Sequence, residues 1–273
     1  MRFEKWHGTG NHHIVVERDE LPWPMRPERA IALCDPAFGI GAEGVLEISF
    51  EDATPRMTVW NADGSIAENC GNGIRIVAAY LDRDGRLAAD GVILTGTQRT
   101  YVRVIDDGRI EVKMGPAVLT AGDYVYSLQT TAGEIDLFEV SMGNPHVVIQ
   151  DPDPDARVTT LGPEIETHEH FPDRTNVEFV RTDGPSQITM RVWERGVGQT
   201  LSCGTGACAA AVSAVVHGHH QSPVTVHLAG GTLVIDVDDE LSVTMTGPAT
   251  FIYAGEVSAA LTAELGTRYT ATP

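Results

Sequence analysis

The chain repeats itself. Met57-Thr58-Val59-Trp60 is followed ten residues on by Cys70-Gly71-Asn72-Gly73, and Met190-Arg191-Val192-Trp193 ten residues on by Cys203-Gly204-Thr205-Gly206. The two blocks stand 133 residues apart, and so do Gly10–Val16 and Gly143–Ile149 upstream of them. Met114-Gly115-Pro116-Ala117 and Thr246-Gly247-Pro248-Ala249 follow at 132. A single short match means little. Several at one offset, with tryptophan and cysteine among them, mark two copies of one unit, at a period far longer than the roughly 20–50 residues of a solenoid. The sequence therefore reads as a first domain over 1–117 and a second over 118–249, related by an approximate two-fold axis. The C-terminal segment 250–273 is assigned to the first. A length of 273 residues accommodates two such domains.

Both copies read alike. In the first, short β-rich runs span 13–17, 57–60, 91–95, 99–105 and 110–114. In the second they span 137–140, 146–150, 177–181, 188–194, 224–228, 233–237 and 242–246. Asp107-Gly108 and Gly230-Gly231 are hairpin turns. A helix begins after each CGxG, over 73–81 and 207–217, ended near Gly85 and by Gly218; residues 26–34 form a further short helix. The fold class is α+β: a bent sheet or small barrel around a central helix, made twice, with the active site in the cleft between the copies. Trp23 packs on the core.

Acidic residues number 38 against 19 basic, a net charge of −19 that repels phosphate backbones, so nucleic acid is not a partner. No apolar run approaches the 18–20 residues of a membrane span and no basic n-region opens the chain, which points to a cytoplasmic protein with no membrane contact. Four cysteines, with no C-x2-C pair, fit reduced thiols rather than a disulfide scaffold or a common zinc site.

Cys70 and Cys203 fall at helix N-termini, where the helix dipole favours a thiolate and the N–H groups can hold a carboxylate. The neighbouring glycines let those N–H groups approach a ligand closely. A two-fold would set the two cysteines on opposite sides of one cleft. Stereoinversion at an acidic carbon needs that arrangement: one thiolate removes a proton from one face while the other thiol delivers one to the opposite face, with no cofactor and no metal. Cys34 and Cys208 read as core.

The chain resembles the diaminopimelate epimerase family through HGTGN at 7–11, GIGAEG at 39–44, NADGS at 61–65, ENCGNGIR at 68–75, MGNPH at 142–146, RTNVEF at 174–179 and ERGVGQTLSCGTGACAAA at 194–211. The resemblance implies two similar α+β domains, a small amino-acid substrate, no pyridoxal phosphate, and interconversion of LL- and meso-2,6-diaminopimelate for lysine and peptidoglycan precursors. It permits a homodimer. It implies Cys70 and Cys203 as the base and acid, and Gly71, Asn72, Gly204 and Thr205 around the reacting carboxylate. Asn61, Asn144, Asn176, Glu194 and Arg195 would hold the distal amino-acid end and Asn11 another part of the substrate, while His146 and Glu194 stand near the thiols. An Arg fork, amides and a Glu acceptor suit a carboxylate with an ammonium.

Three places depart from the family pattern: Asn11-His12-His13, Gly41-Ala42-Glu43-Gly44, and Asn69 before Cys70. His12 is read as an exposed loop residue. The alternative function is a related cofactor-independent racemase of another amino acid; a proline-racemase-type chain usually carries CGHG at its first cysteine. His217, His219 and His220 form a polar helix end rather than a metal site, and His168 and His170 are solvated. Asp151-Pro152-Asp153-Pro154-Asp155 is a rigid turn that could start a helix, and the Gly-rich runs at 8–10 and 39–44 lack the context of a nucleotide loop.

Overall fold

A computed structural model describes residues 1–67, 70–88 and 90–268. Glu68 and Asn69 of the first cysteine motif lie outside the described residues. Two compact units divide the chain: Met1–Val112 with the chain from Pro248 on, and Lys113–Gly247.

The first unit runs β1 (Arg2–Gly8), β2 (Asn11–Glu17), α1 (Pro27–Cys34), β3 (Gly44–Glu51), β4 (Thr54–Asn61), β5 (Ile66–Ala67), α2 (Gly71–Arg83), β6 (Gly91–Thr95) and β7 (Gln98–Val104). β8 (Ile110–Pro116) leads out of it. The second runs β9 (Tyr126–Thr130), β10 (Gly133–Ser141), β11 (Pro145–Gln150), α3 (Pro154–Glu166), β12 (Asn176–Gly184), β13 (Gln187–Glu194) and β14 (Gly198–Thr200). It continues with α4 (Gly204–Val216), β15 (Val224–Leu228), β16 (Gly231–Val237) and β17 (Ser242–Gly247). β18 (Thr250–Glu256) and α5 (Ala259–Arg268) then return to the first unit.

The repeat holds at the level of pairing. In the first unit β2 pairs parallel with β3 and β4 parallel with β6; in the second, β11 pairs with β12 and β13 with β15 in the same way. The register carries the offset too: Arg56 faces Leu94, and Thr189 faces His227. α2 and α4 begin and end 133 residues apart. Each touches most strands of its own sheet, so the sheet wraps the helix. The compositions follow. α4 is apolar all round and buries ten of its thirteen residues, as a helix inside a sheet must. α2 buries an unbroken run from Gly71 to Ala78. α1 and α3 pack on the strands from outside, against β3 and β4 and against β12, β13 and β14.

Several expectations are corrected. Both central helices start earlier than expected, at Gly71 and Gly204, because the cysteines themselves cap them. The Asp151–Asp155 turn does start a helix, α3, whose thirteen residues the sequence reading did not extend to. Asp153 caps it by accepting from Ala156 N at 3.3 Å, and Pro154 sits where a missing N–H is harmless. β3, β9, β18 and α5 were not anticipated. His12 is not in a loop: it pairs with His7 inside the β1–β2 ladder and is half-buried. His220, read as part of a polar helix end, is buried, its Nε2 3.3 Å from Gln187 O. Cys34, Cys208 and Trp23 are buried as expected. Trp23 carries Arg29 over its ring at 4.8 Å.

Candidate active site

Cys70 and Cys203 are the N-cap residues of α2 and α4. Each is extended, and each Sγ accepts from the N–H three residues on: Gly73 at 3.2 Å and Gly206 at 3.4 Å. Sulfur here takes the place of the oxygen in an ordinary Ser or Asp cap. Glycine at the third position is what lets the surroundings close in. A Cβ on Gly206 would lie 2.6 Å from Glu178 Oε1, and one on Gly73 would lie 3.0 Å from Leu46 Cδ2. All four cysteines are thiols rather than disulfides.

In the first unit, Asn72 Nδ2 donates to Asn11 Oδ1 at 3.2 Å, and His13 Nε2 meets the same oxygen at 2.8 Å. Asn11 Nδ2 donates to Glu43 Oε2 at 2.6 Å, and His12 N to that oxygen at 2.9 Å. Two of the departures from the family pattern thus act together, with Glu43 fixing the orientation of Asn11. Arg75 is fully buried and pins the first turn of α2, donating to Asn72 Oδ1 at 2.8 Å and to Thr9 Oγ1 at 3.2 Å. Burial, then the neighbouring His12, push the His13 imidazole down to about 4, so it is neutral at pH 7.

The second unit repeats this chain of contacts and adds charge. His146 Nε2 meets Asn144 Oδ1 at 3.0 Å, Asn144 Nδ2 donates to Thr205 Oγ1 at 3.4 Å, and Thr205 Oγ1 lies 3.5 Å from Cys203 Sγ. His146 Nδ1 meets Glu178 Oε1 at 2.7 Å, both side chains fully buried. Glu178 Oε2 is buried with no hydrogen-bond partner. Glu194 accepts from Thr200 Oγ1 and lies near enough to Cys203 for its charge to act on the thiol. Burial first, then Glu194 and Glu178, raise the Cys203 thiol well above the usual thiol range. This corrects one expectation. The helix N-terminus alone would favour a thiolate there, but desolvation and two carboxylates outweigh one capping N–H, and Cys203 is a thiol at neutral pH. Burial likewise raises the Glu194 carboxyl.

The remaining candidates divide. Gly71 and Gly204 are the first residues of the capped helices. Asn176 spends its amide within the chain, Nδ2 on Pro145 O at 2.8 Å and Oδ1 accepting from Arg195 N at 2.9 Å. The Arg195 side chain is exposed, with Nη1 3.4 Å from Asp173 O. Asn61 closes its own turn, Nδ2 on Ser65 Oγ at 2.9 Å, and is tied to neither thiol's network. Sequence reasoning passed over Glu178, Arg75, Thr200 and the bonding role of Glu43. Two of these carried a signal: Glu178 interrupts the apolar strand Val177–Val180, and Arg75 interrupts the apolar run from Ile74 to Ala79. Among the described residues no group of three His, Cys, Asp or Glu side chains could hold a metal ion, and no helix is long and apolar enough to cross a membrane.

Solved structures share this fold. A probable proline racemase from Agrobacterium radiobacter K84 superposes with a TM-score of 0.70 at 12% identity, covering 94% of this chain and 93% of its own. A hydroxyproline epimerase from Agrobacterium vitis gives 0.69 at 14%, covering 94% and 90%. At such identities the likeness is one of fold alone. In sequence, a diaminopimelate epimerase from Teredinibacter turnerae is 41% identical, over 94% of this chain and 99% of that protein. One from Pelotomaculum thermopropionicum is also 41% identical, over 94% and 98%. The sequence profile of diaminopimelate epimerase matches residues 3–120 and 138–252, taking in both capping cysteines. With both copies of its repeat matched and relatives aligned along nearly its whole length, the chain belongs to the diaminopimelate epimerase family.

Proposed function

We propose that this chain is an isomerase that interconverts LL- and meso-2,6-diaminopimelate by proton transfer between two thiols and one α-carbon, without pyridoxal phosphate, in the cytoplasm. The observation that carries this reading is the duplicated cap: two cysteines at equivalent places of a repeat, each with Sγ on the N–H of a glycine in the first turn of a buried helix. A carboxylate at such helix starts meets oriented N–H groups of Gly71 and Asn72, or of Gly204 and Thr205. The same groups stabilise the negative charge that develops as the α-proton leaves.

The unequal surroundings divide the roles. Cys203, kept protonated by burial and two carboxylates, is the acid of the resting enzyme, and Cys70 is the base. The Cys70 thiolate takes the α-proton from one face and the Cys203 thiol gives its proton to the other. The product leaves behind a Cys70 thiol and a Cys203 thiolate. In the reverse direction Cys203 must start deprotonated. Glu194, close by and with its own proton affinity raised by burial, can hold that proton. Asn176 positions the Arg195 backbone, and Arg195, Asn61 and Asn144 receive the distal amino-acid end.

The test is to incubate the reduced protein with LL-diaminopimelate in D2O and follow the products by NMR. The reading requires meso isomer with solvent deuterium at one α-carbon. No conversion from either isomer overturns it.

A further inference from the structure

The hairpin turns that follow Trp60 and Trp193 are equivalent in the repeat, and they are held differently. Val59 and Trp60 pair with Ala67 and Ile66, and Val192 and Trp193 pair with Thr200 and Gln199, each residue 133 positions from its counterpart. The first turn closes on itself. Asp63 Oδ1 accepts from Ser65 N at 2.9 Å and from Ser65 Oγ at 2.6 Å, and Asn61 Nδ2 donates to Ser65 Oγ at 2.9 Å. In the second turn Gly196 and Gly198 stand in place of Asp63 and Ser65, so no such closure can form. Both turns keep the backbone bond, Gly64 N to Asn61 O at 2.9 Å and Val197 N to Glu194 O at 3.1 Å.

The second turn takes its remaining support from outside. Glu166, the last residue of α3, is buried, and its Oε1 accepts from Gly196 N at 2.8 Å. Its Oε2 accepts from Trp193 Nε1 at 2.8 Å, at the base of the hairpin, and Arg174 Nη1 donates to Oε1 at 3.3 Å. Asn176 Oδ1 accepts from Arg195 N at 2.9 Å. The two held amides, Arg195 N and Gly196 N, are the ones on either side of the Arg195 Cα, while the Arg195 side chain is exposed. Burial pushes the Glu166 carboxyl up, but its three donors outweigh burial and hold it below the usual carboxylate range, so it is ionised at pH 7. Burying a charge is costly. Here that charge is placed against a turn whose counterpart in the first unit holds itself.

We propose that Glu166 is a positioning residue for Arg195, fixing the backbone from which the guanidinium reaches the distal carboxylate of the substrate. The inference rests on the function proposed above. Glu166 itself touches no substrate. The distal end is unchanged by the reaction, so contacts to it are equally strong in the ground and transition states, and their loss appears in KM rather than in kcat.

The test is a kinetic cycle of the parent chain, Glu166→Ala, Arg195→Ala and the double variant on LL-diaminopimelate, with the thermal midpoint of each. Glu166→Ala is expected to raise KM about ten- to a hundredfold and to leave kcat within about twofold. The double variant should be no worse than Arg195→Ala, because the placing of a guanidinium no longer matters once it is gone. A merely structural role would act in both backgrounds, and the two losses would multiply. Multiplied losses, or an unchanged KM in Glu166→Ala, overturn the positioning role while the function stands. A parent chain that converts neither isomer overturns the function and the positioning role with it. If Glu166→Ala does not fold, Glu166→Gln takes its place in the cycle: it keeps the shape but offers one accepting oxygen to the Trp193 and Gly196 donors. If neither folds, hydrogen exchange of the Gly196 amide in the parent chain decides: a protected amide supports the role, and one exchanging at the rate of a free peptide overturns it.

Discussion

Leu46 lies opposite Val15 in the first unit and Glu178 lies opposite Val148 in the second, at equivalent places in the repeat. That one exchange puts a buried carboxylate beside Cys203. Glu178→Gln removes a like charge from the neighbourhood of that thiol, so Cys203 should become the stronger acid. Its alkylation by iodoacetamide at pH 7, read peptide by peptide by mass spectrometry, should rise several-fold while that of Cys70 stays level. An unchanged Cys203 rate would show that burial alone raises the thiol. The paired histidines differ in the same way: His146 Nδ1 meets Glu178, whereas His13 is buried with no carboxylate on its ring. The folded chain refuses a proton on His13 until about pH 4, whereas the unfolded chain accepts one near 6.5. The stability this group contributes is therefore complete above pH 6.5 and falls as the pH drops towards 4, by up to about 3 kcal/mol. Urea unfolding of the parent chain and His13→Gln at pH 7 and pH 4.5 should show the parent losing more stability between the two pH values; equal losses would refute the assignment.

At the level of elements, helix propensity and packing pull in opposite directions at α3. Gly162 sits inside this helix, where alanine would ordinarily stabilise by about 1 kcal/mol. A Cβ there would meet Trp193 Cβ at 2.6 Å and Cγ at 2.7 Å. Trp193 cannot retreat cheaply, because its indole donates to the buried Glu166 at 2.8 Å. Gly162→Ala should therefore lower stability by about 1–3 kcal/mol, seen as a drop in melting temperature; a rise would mean that propensity wins. The same residues explain why α3 was hard to read. Gly162, Pro163 and the β-branched Val158, Thr159 and Thr160 are poor helix formers, and the helix stands because Val158, Leu161 and Ile165 pack into the core of the second unit. β3 was missed for a related reason. It is buried along Gly44–Ile48 and lacks the alternation that marks a half-exposed strand. α2 and α4 were legible because each carries a capping sequence at one end and an apolar run behind it.

The two units share an architecture, and the proposed two-base inversion requires a working thiol from each. Cys70→Ser and Cys203→Ser should each abolish epimerisation, while each retains elimination of HX from a β-halogenated substrate analogue, a reaction that needs one base. Full epimerase activity in either variant would refute the two-thiol mechanism. The duplication and the two cysteine-capped helices were legible in the chain itself, because a repeat and a helix cap are written in short-range spacing. The protonation of Cys203 was not. It depends first on burial and then on Glu194 and Glu178, which are 9 and 25 residues away in the chain and reach the thiol only when β12 and β13 pair beside α4. Desolvation is a property of packed neighbours rather than of residue order.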